Sequence, residues 1–212
     1  MASSRLVAPE LTTIKVQGLT REAFLVRTTL AAGATYGAMS ATPFITKALA
    51  QDGGGDVDIL NFALTLEYLE AEFYKQALSD VNGLSGDEKK LAREIRSNED
   101  EHVDALMATI KKLGGKPGAK PKVDFGGAFS DRATFLKTAN TFEDLGVSAY
   151  NGAAPGIESG DVLAAAGGIV QVEARHAALI RLTRGKPPAP LAFDKPAEMD
   201  TVVKKVTPFI KS

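Results

Sequence analysis

The chain has 212 residues, of which 44% are hydrophobic and 24% charged, with 25 basic and 26 acidic side chains. These proportions are typical of a globular protein and exclude disordered, collagen-like and multi-span membrane classes. A net charge of −1 argues against a nucleic-acid partner, which would require a basic excess. The absence of cysteine excludes disulfides, thiolate zinc sites and cysteine nucleophiles, and only two histidines are present, His102 and His176.

Residues 1–50 differ in character from the rest of the chain. An uncharged stretch rich in Ala, Gly and Thr runs from Thr28 to Thr46, behind a segment with more basic than acidic residues. A small-x-small cleavage pattern then ends at Ala50. This order predicts an export signal, a periplasmic or extracytoplasmic location and no stable membrane span after cleavage. A retained segment or an ordinary cytoplasmic N-terminus is the alternative.

The segment from Thr20 to Leu25 resembles the motif of the twin-arginine export pathway, with Glu22 in place of the second arginine. The weakly hydrophobic stretch behind it is typical of that pathway, which exports folded and often metal-loaded proteins. Residues 1–50 contain five basic and two acidic side chains, so their removal leaves 162 residues with a net charge of −4. Residues 51–55 are predicted to form a Gly-rich linker.

Helical spacing of apolar residues begins at Asp56 and predicts a first long helix over residues 56–79. Ser85 and Glu88 form a capping-box pattern, which predicts a second helix to about Leu113. Residues 114–129 contain Gly and Pro without periodicity. They are therefore predicted to form a long connection.

The second half of the chain repeats this arrangement. Ser130 is predicted to cap a third helix that runs to about Gly152, and a fourth helix covers residues 161–184. Residues 56–185 are thus predicted to fold as an all-α four-helix bundle, in which two helical hairpins are joined by one long crossover. Residues 186–212 form a C-terminal extension, in which residues 196–206 are predicted as a short fifth helix.

The two predicted hairpins share a spaced motif of acidic, aromatic and imidazole side chains. Glu67 with Tyr74 seven residues later recurs as Glu143 with Tyr150. A Glu-x-x-His pattern occurs in the second helix and again in the fourth. The offsets of the two repeats are nearly equal, which predicts a bundle with pseudo-twofold symmetry.

The repeated acidic and imidazole side chains form a predicted metal-binding set. Residues three apart lie on one helical face, so each Glu-x-x-His offers a carboxylate and an imidazole to one ion. Each carboxylate of the set also interrupts an apolar stripe, and buried carboxylates need metal, protons or cationic partners. The pattern is that of di-iron and di-manganese carboxylate bundles, and it predicts two ions, Fe or Mn. The predicted ligands are Glu67, Glu99, His102, Glu143, Glu173 and His176.

Several neighbouring residues allow more than one interpretation. Tyr74 and Tyr150 lie two turns beyond a predicted ligand, either as core aromatics or as donors to a ligating carboxylate. Glu70 lies three residues after Glu67 and is an additional or alternative ligand candidate, although its repeat partner is Gly146. Three further acidic residues are predicted to face solvent, namely Glu72, Glu101 and Asp144.

With these motifs the sequence resembles the ferritin-like superfamily, and within it the bacterial ferritin-like domain proteins related to plant desiccation-related proteins. The resemblance covers about residues 56–184 and is carried mostly by residues 60–64 and 67–74. It implies a di-metal carboxylate centre that reacts with O2 or H2O2. In the pattern of that family, Glu99 and Glu173 bridge the two metals and the other four ligands are terminal.

Three functions are compatible with this sequence. The first is a di-metal oxidoreductase that handles O2 or H2O2 in stress protection, as a ferroxidase, peroxidase or catalase-like enzyme. The second is metal binding or storage without turnover, and the third is a structural, stress-protective bundle. A homo-oligomer is compatible with each of them.

Overall fold

The computed structural model describes residues 55–211, and these form a bundle of α-helices. The helices are α1 (Asp56–Asp80), α2 (Gly86–Lys112), α3 (Arg132–Ala153), α4 (Gly160–Thr183) and α5 (Met199–Val206). α1 packs along α2 and α3 along α4, and contacts between α1 and α3 and between α2 and α4 join the two hairpins. The all-α four-helix bundle with a short fifth helix is therefore confirmed.

The predicted export signal at residues 1–50, and the predicted linker apart from Gly55, lie outside the described residues. Among the helices within 55–211, none is both long enough and apolar enough to cross a membrane.

The start of α2 follows the sequence prediction, whereas the start of α3 does not. The Ser85 hydroxyl accepts a hydrogen bond from the Glu88 backbone N–H, and the Glu88 carboxylate accepts one from the Ser85 N–H. The N-cap of α3 is Asp131 and not Ser130, because the Asp131 carboxylate accepts from the backbone N–H of Thr134 at 2.9 Å. Ser130 instead ends a 3₁₀ helix over Gly126–Phe129, within the predicted connection.

α5 begins three residues later than predicted. The backbone N–H of Ala197 donates to the Ser148 carbonyl at 2.9 Å, and Glu198 has an extended conformation, so this segment lies against α3 before the helix starts. Gly152 permits this approach, since a Cβ at that position would lie 1.9 Å from the Ala197 carbonyl oxygen. The C-terminal extension thus packs on the bundle through α3.

The long crossover between the hairpins is fixed at both of its ends. Near its start, the buried side chain of Asn61 donates to the Lys116 carbonyl and accepts from the Gly118 N–H at 2.7 Å. Near its end, Val123 forms an antiparallel bridge with Ile210 of the C-terminal tail. The crossover is therefore an ordered part of the fold.

The core consists of two apolar clusters, one toward each end of the bundle. One cluster includes Leu64 of α1 and Ile169 of α4, and the other includes Leu69 of α1 and Ile180 of α4. Glu67 and Glu173 lie between these positions along their helices. A layer of buried polar side chains thus separates two apolar regions in the middle of the bundle.

Candidate metal centre

All six side chains predicted as metal ligands converge in this central layer. The four carboxylate residues have 0% exposure, and His176 and His102 have 3% and 8%. Each of the four long helices contributes one carboxylate, and α2 and α4 each add an imidazole one turn later. The apolar neighbours on each helix face the core, so the polar side chains that interrupt those stripes face it too.

The first half of the site surrounds His102. Its Nδ1 atom lies 3.2 Å from Glu67 Oε2 and 3.0 Å from Glu99 Oε2. The same nitrogen lies 3.1 Å from Glu173 Oε1. One imidazole nitrogen therefore faces carboxylates from three helices.

The second half surrounds His176 in a corresponding way. Its Nδ1 atom lies 2.9 Å from Glu99 Oε1 and 3.4 Å from Glu143 Oε2. Glu173 Oε1 lies 4.0 Å from the same nitrogen. Glu99 and Glu173 thus belong to both halves, which places two carboxylates between the two imidazoles.

Each half brings four possible donor atoms within 4.8 Å of one another, a spacing that could hold a metal ion. The first group is Glu67, Glu99, His102 and Glu173, and the second is Glu99, Glu143, Glu173 and His176. Oxygen and imidazole donors of this kind suit iron and manganese.

Within the described residues, some buried polar atoms of this layer have no hydrogen-bond partner. These atoms show whether the layer can accommodate cations. Several buried atoms lack a hydrogen-bond partner: Glu70 Oε2, Glu99 Oε1, Glu143 Oε2, both oxygens of Glu173, and His176 Nδ1. The contact between His176 Nδ1 and Glu99 Oε1 is short but does not have hydrogen-bond geometry. Buried groups without partners are costly, whereas converging lone pairs are what a cation requires. The residues present therefore fit metal ions.

The carboxyl pKa values show how strongly the layer resists negative charge. Burial raises the pKa of Glu67 to about 8, and burial with repulsion from Glu67 and Glu99 raises that of Glu173 well above its ordinary value. Burial also disfavours the ionised form of Glu99, but the hydrogen bond with His102 and the adjacent His176 imidazole lower its pKa to about 2. Metal-free, the site thus holds protons on some carboxyls and an ionised carboxylate between the histidines.

The histidine pKa values move in the opposite sense to simple burial. Burial alone would lower the pKa of His102, but the adjacent Glu173 carboxylate and hydrogen bonds with Glu67 and Glu99 raise it to about 12. Burial also acts to lower the pKa of His176, but the adjacent carboxylates of Glu143 and Glu99 raise it to about 10. Without metal, both imidazoles therefore act as the cations of the site.

Both tyrosines of the repeated motif reach across to the carboxylate of the other hairpin. The Tyr150 hydroxyl donates to Glu67 Oε1 at 2.6 Å, and the Tyr74 hydroxyl donates to Glu143 Oε1. Of the two interpretations of these residues, the structure supports hydrogen-bond donors to the predicted ligands. These two hydrogen bonds are related by the pseudo-twofold symmetry of the sequence repeat.

Glu70 breaks that symmetry. Its side chain is 3% exposed, and burial with repulsion from Glu173 and Glu143 raises its pKa well above the ordinary value. A Cβ at Gly146 would lie 3.4 Å from Glu70 Oε1 and 3.3 Å from Glu173 Oε2. A side chain at Gly146, the repeat partner of Glu70, would therefore contact the carboxylates of both Glu70 and Glu173. Glu70 adds a fifth buried carboxyl beside the two four-residue groups.

Asn98 is a site residue that the sequence motif did not reveal. Its Nδ2 atom lies 3.0 Å from His176 Nε2, the ring nitrogen that faces away from the carboxylates. When Nδ1 is a metal ligand, Nε2 carries the ring proton, and the Asn98 amide orients the ring by turning its oxygen to accept that proton in a hydrogen bond. Asn98 comes directly before Glu99, but its partner lies on another helix, so only the packing of α2 against α4 brings the two together.

The three acidic residues predicted to face solvent differ in their surroundings. Glu101 is exposed, as predicted. Glu72 retains 14% side-chain exposure and pairs with Lys120 of the crossover at 2.6 Å, so it lies at the surface but is partly covered by that contact. Asp144 is 44% exposed and forms an ion pair with Arg181 of α4. The crossover and the fourth helix supply cations that the local sequence pattern does not include.

A small apolar pocket adjoins the Glu67 half of the site. It lies between α1, α3 and the start of α4, and its lining includes Ala63, Leu66, Ala149, Tyr150 and Ala166. The Tyr150 side chain belongs both to this pocket and to the hydrogen bond with Glu67. An apolar space therefore lies next to the polar layer.

Comparison with protein families identifies the domain that these helices form. Residues 55–186 match the family described as the ferritin-like domain. No curated protein matches the chain. The matched range contains all four long helices and every residue of the central polar layer.

Proposed function

Because the chain belongs to the ferritin-like domain family, we propose that it binds two iron or manganese ions and reacts with O2 or H2O2 in stress protection. The observation that carries this proposal is the pair of overlapping donor groups that share Glu99 and Glu173. Two iron or manganese ions held by these groups would supply the redox chemistry needed to reduce an oxygen substrate.

The protein side chains have separate tasks in this proposal. His102 and His176 would each hold one ion through Nδ1, and Glu67 and Glu143 would each hold one through the carboxylate oxygen that no tyrosine contacts. Tyr150 and Tyr74 keep these carboxylates in place by hydrogen bonding. The raised pKa of Glu70 favours its protonated form next to the shared carboxylates, which makes it a candidate proton donor or seventh ligand.

The pocket beside Tyr150 supports O2 as the first substrate to test. Its lining is almost wholly apolar, and an apolar space favours an apolar molecule such as O2 over hydrogen peroxide, which loses hydrogen bonds on entry. Hydrogen peroxide is the matched alternative. The two are compared directly by mixing each with the loaded protein.

The metal assignment is tested by loading the full chain without oxygen and measuring its metal content. We expect two ions of Fe(II) or Mn(II) per chain, and substantially fewer in Glu99→Gln, because that residue belongs to both groups. Glu101→Gln is the matched control, since it removes the same charge from an exposed position on the same helix. Equal metal content in both variants would contradict the assignment.

The reaction is tested by exposing the loaded protein to O2 or H2O2 and recording absorbance. Repeated turnover with a reductant supports an oxidoreductase. A single stoichiometric change with retained metal indicates binding or storage, and no change indicates a structural bundle. Each outcome separates one of the three functions from the other two.

We also propose that the chain is exported, on the sequence of residues 1–50 alone. The expected mature protein begins at Gln51, after the Ala48-Leu49-Ala50 pattern. Mass spectrometry of the N-terminal peptide from fractionated cells measures this. An uncut chain in the cytoplasmic fraction is the opposite result.

A further inference from the structure

The outer face of α4 differs from that of α2. Most exposed positions of α2 carry charged side chains, whereas the exposed positions of α4 carry only two, Asp161 and Arg175. Leu163, Leu179 and Leu182 of α4 are 43%, 44% and 55% exposed. An exposed helix of this composition is expected to be covered in the functional assembly.

Two adjacent glycines occupy the middle of this face. A Cβ at Gly167 or Gly168 would meet nothing within 4 Å among the described residues, so packing within the chain does not require glycine at either position. A glycine inside a helix costs about 1 kcal/mol relative to alanine. Close approach of a second backbone is the physical reason for accepting this cost, as in helix pairs that meet at small residues.

The residues of this outer face recur at alternating spacings of three and four. The row is Asp161, Ala164, Gly168, Gln171, Arg175, Ala178 and Leu182. Such spacing keeps one stripe directed at a partner helix over the whole length of α4.

The two charged residues of the row indicate which molecule covers the outer face of α4. Asp161 and Arg175 lie seven residues on either side of Gly168, and neither forms an ion pair or a side-chain hydrogen bond within residues 55–211. If α4 pairs antiparallel with α4 of a second copy, about a twofold axis at Gly168, each Asp161 comes opposite an Arg175. A twofold contact requires a surface that complements itself, and this row does.

We infer that the outer face of α4 is a self-association surface, on which a second copy of this chain packs antiparallel about Gly168. Two equivalent Asp161–Arg175 ion pairs set the register. Toward each end of the contact, Leu179 meets the turn of the other copy that contains the half-buried Ile157. The contact leaves the central polar layer of each copy unchanged.

Charge reversal on the full chain tests this arrangement by sedimentation velocity. We expect the unaltered chain to be a dimer, and Asp161→Arg or Arg175→Asp each to weaken it about tenfold, because each creates two like-charged contacts. The combination Asp161→Arg/Arg175→Asp restores the opposite-charge pairs and should restore the dimer. Gly168→Leu should give a folded monomer, because its side chain separates the two helices.

Arg93→Asp is the control, since it reverses the same charge on the exposed face of α2. It should leave the dimer unchanged, and circular dichroism should show equal helix content in every variant. The inference would be overturned if the unaltered chain is a monomer. That result is expected if another segment of the chain covers α4. A dimer that resists both single reversals, or that the double reversal does not restore, would overturn it as well.

Discussion

The hydroxyl of Tyr150 is a single polar group whose removal should lower both stability and metal affinity. It donates to Glu67 Oε1 at 2.6 Å in the buried polar layer, so Tyr150→Phe leaves that oxygen without its donor. We expect the metal-free protein to lose about 1–3 kcal/mol of unfolding free energy, measured by chemical denaturation. Affinity for Mn(II) should fall about tenfold, because Glu67 is no longer held in place.

Tyr68→Phe is the control for this substitution. The Tyr68 hydroxyl lies on the same helix as Glu67 but donates to Met107 Sδ at 3.3 Å, and sulfur is a weak acceptor. Its removal should change stability and metal affinity little. Equal effects of the two substitutions would show that Tyr150 acts through packing alone.

Asn98 makes the two halves of the site unequal. It lies next to His176 Nε2, whereas the position that the repeat offset of 74 relates to it is Val172, which offers His102 no such group. We therefore expect two unequal Mn(II) affinities by calorimetric titration, with the tighter ion at His176. Asn98→Leu should weaken that ion about tenfold. Ser97→Ala, at an exposed neighbouring position, should have no effect, and two equal affinities in the unaltered protein would refute this assignment.

At the scale of the helix, Gly146 of α3 is where Glu70 and Glu173 approach the backbone. Gly146→Ala places a methyl group 3.3–3.4 Å from both carboxylates, so at least one must move by a few tenths of an ångström. We expect a clear loss of metal affinity, although alanine favours the helix by about 1 kcal/mol.

Gly167→Ala of α4 is the matched change, because it also replaces a mid-helix glycine but meets nothing within 4 Å. Metal affinity should be unchanged in that variant. If Gly146→Ala binds metal as tightly as Gly167→Ala, the Glu70 carboxylate does not need the space at position 146.

The elements that could be predicted from sequence are those specified by local chemistry. Apolar spacing and the Ser85–Glu88 pair predicted α2, and polar breaks in apolar stripes indicated where four carboxylates face the core. Ser130 and Asp131 are adjacent and both are good caps, so the sequence did not distinguish them. The 3₁₀ helix in the crossover depends on packing instead, since Phe125 and Phe129 join an aromatic cluster around Phe73 of α1.

Features that depend on the distance between helices could not be predicted in this way. The contact of Asn98 with His176 and the space that Gly146 leaves for Glu70 each join residues of different helices. Periodicity assigns a residue to a face but does not determine which atoms of the facing helix it meets. The pseudo-symmetry of the repeat also favoured Glu67 over Glu70, whereas the structure buries both.

At the scale of the whole molecule, the central layer makes folding dependent on protons. Glu67, His176 and His102 have pKa values of about 8, 10 and 12 in the folded protein, all above their ordinary values. The folded metal-free protein thus binds more protons than the unfolded chain above the ordinary carboxyl pKa. The pKa of Glu99 is lowered instead, so this residue stabilises the folded state as pH rises. That gain in stability is already complete above the ordinary carboxyl pKa.

Stability of the metal-free protein should therefore fall as pH rises from about 5 to about 8, because stability decreases wherever the folded state binds more protons. Thermal unfolding at a series of pH values measures this. Metal-loaded protein, in which ions replace the protons, should depend less on pH. A stability that rises with pH over this range in the metal-free protein would contradict the charge assignment.

The same protons must leave when metal binds, because an ion and a proton compete for the same lone pairs. At pH 7 the raised pKa values keep Glu67, His102 and His176 protonated, so Mn(II) binding should release several protons per chain and tighten as pH rises. Calorimetric titration in two buffers with different ionisation enthalpies counts them. The Glu101→Gln variant should release as many protons as the unaltered protein, since the Glu101 carboxylate is exposed. The Glu67→Gln variant should release fewer protons. Equal heats in the two buffers would mean that the ions bind away from the central layer.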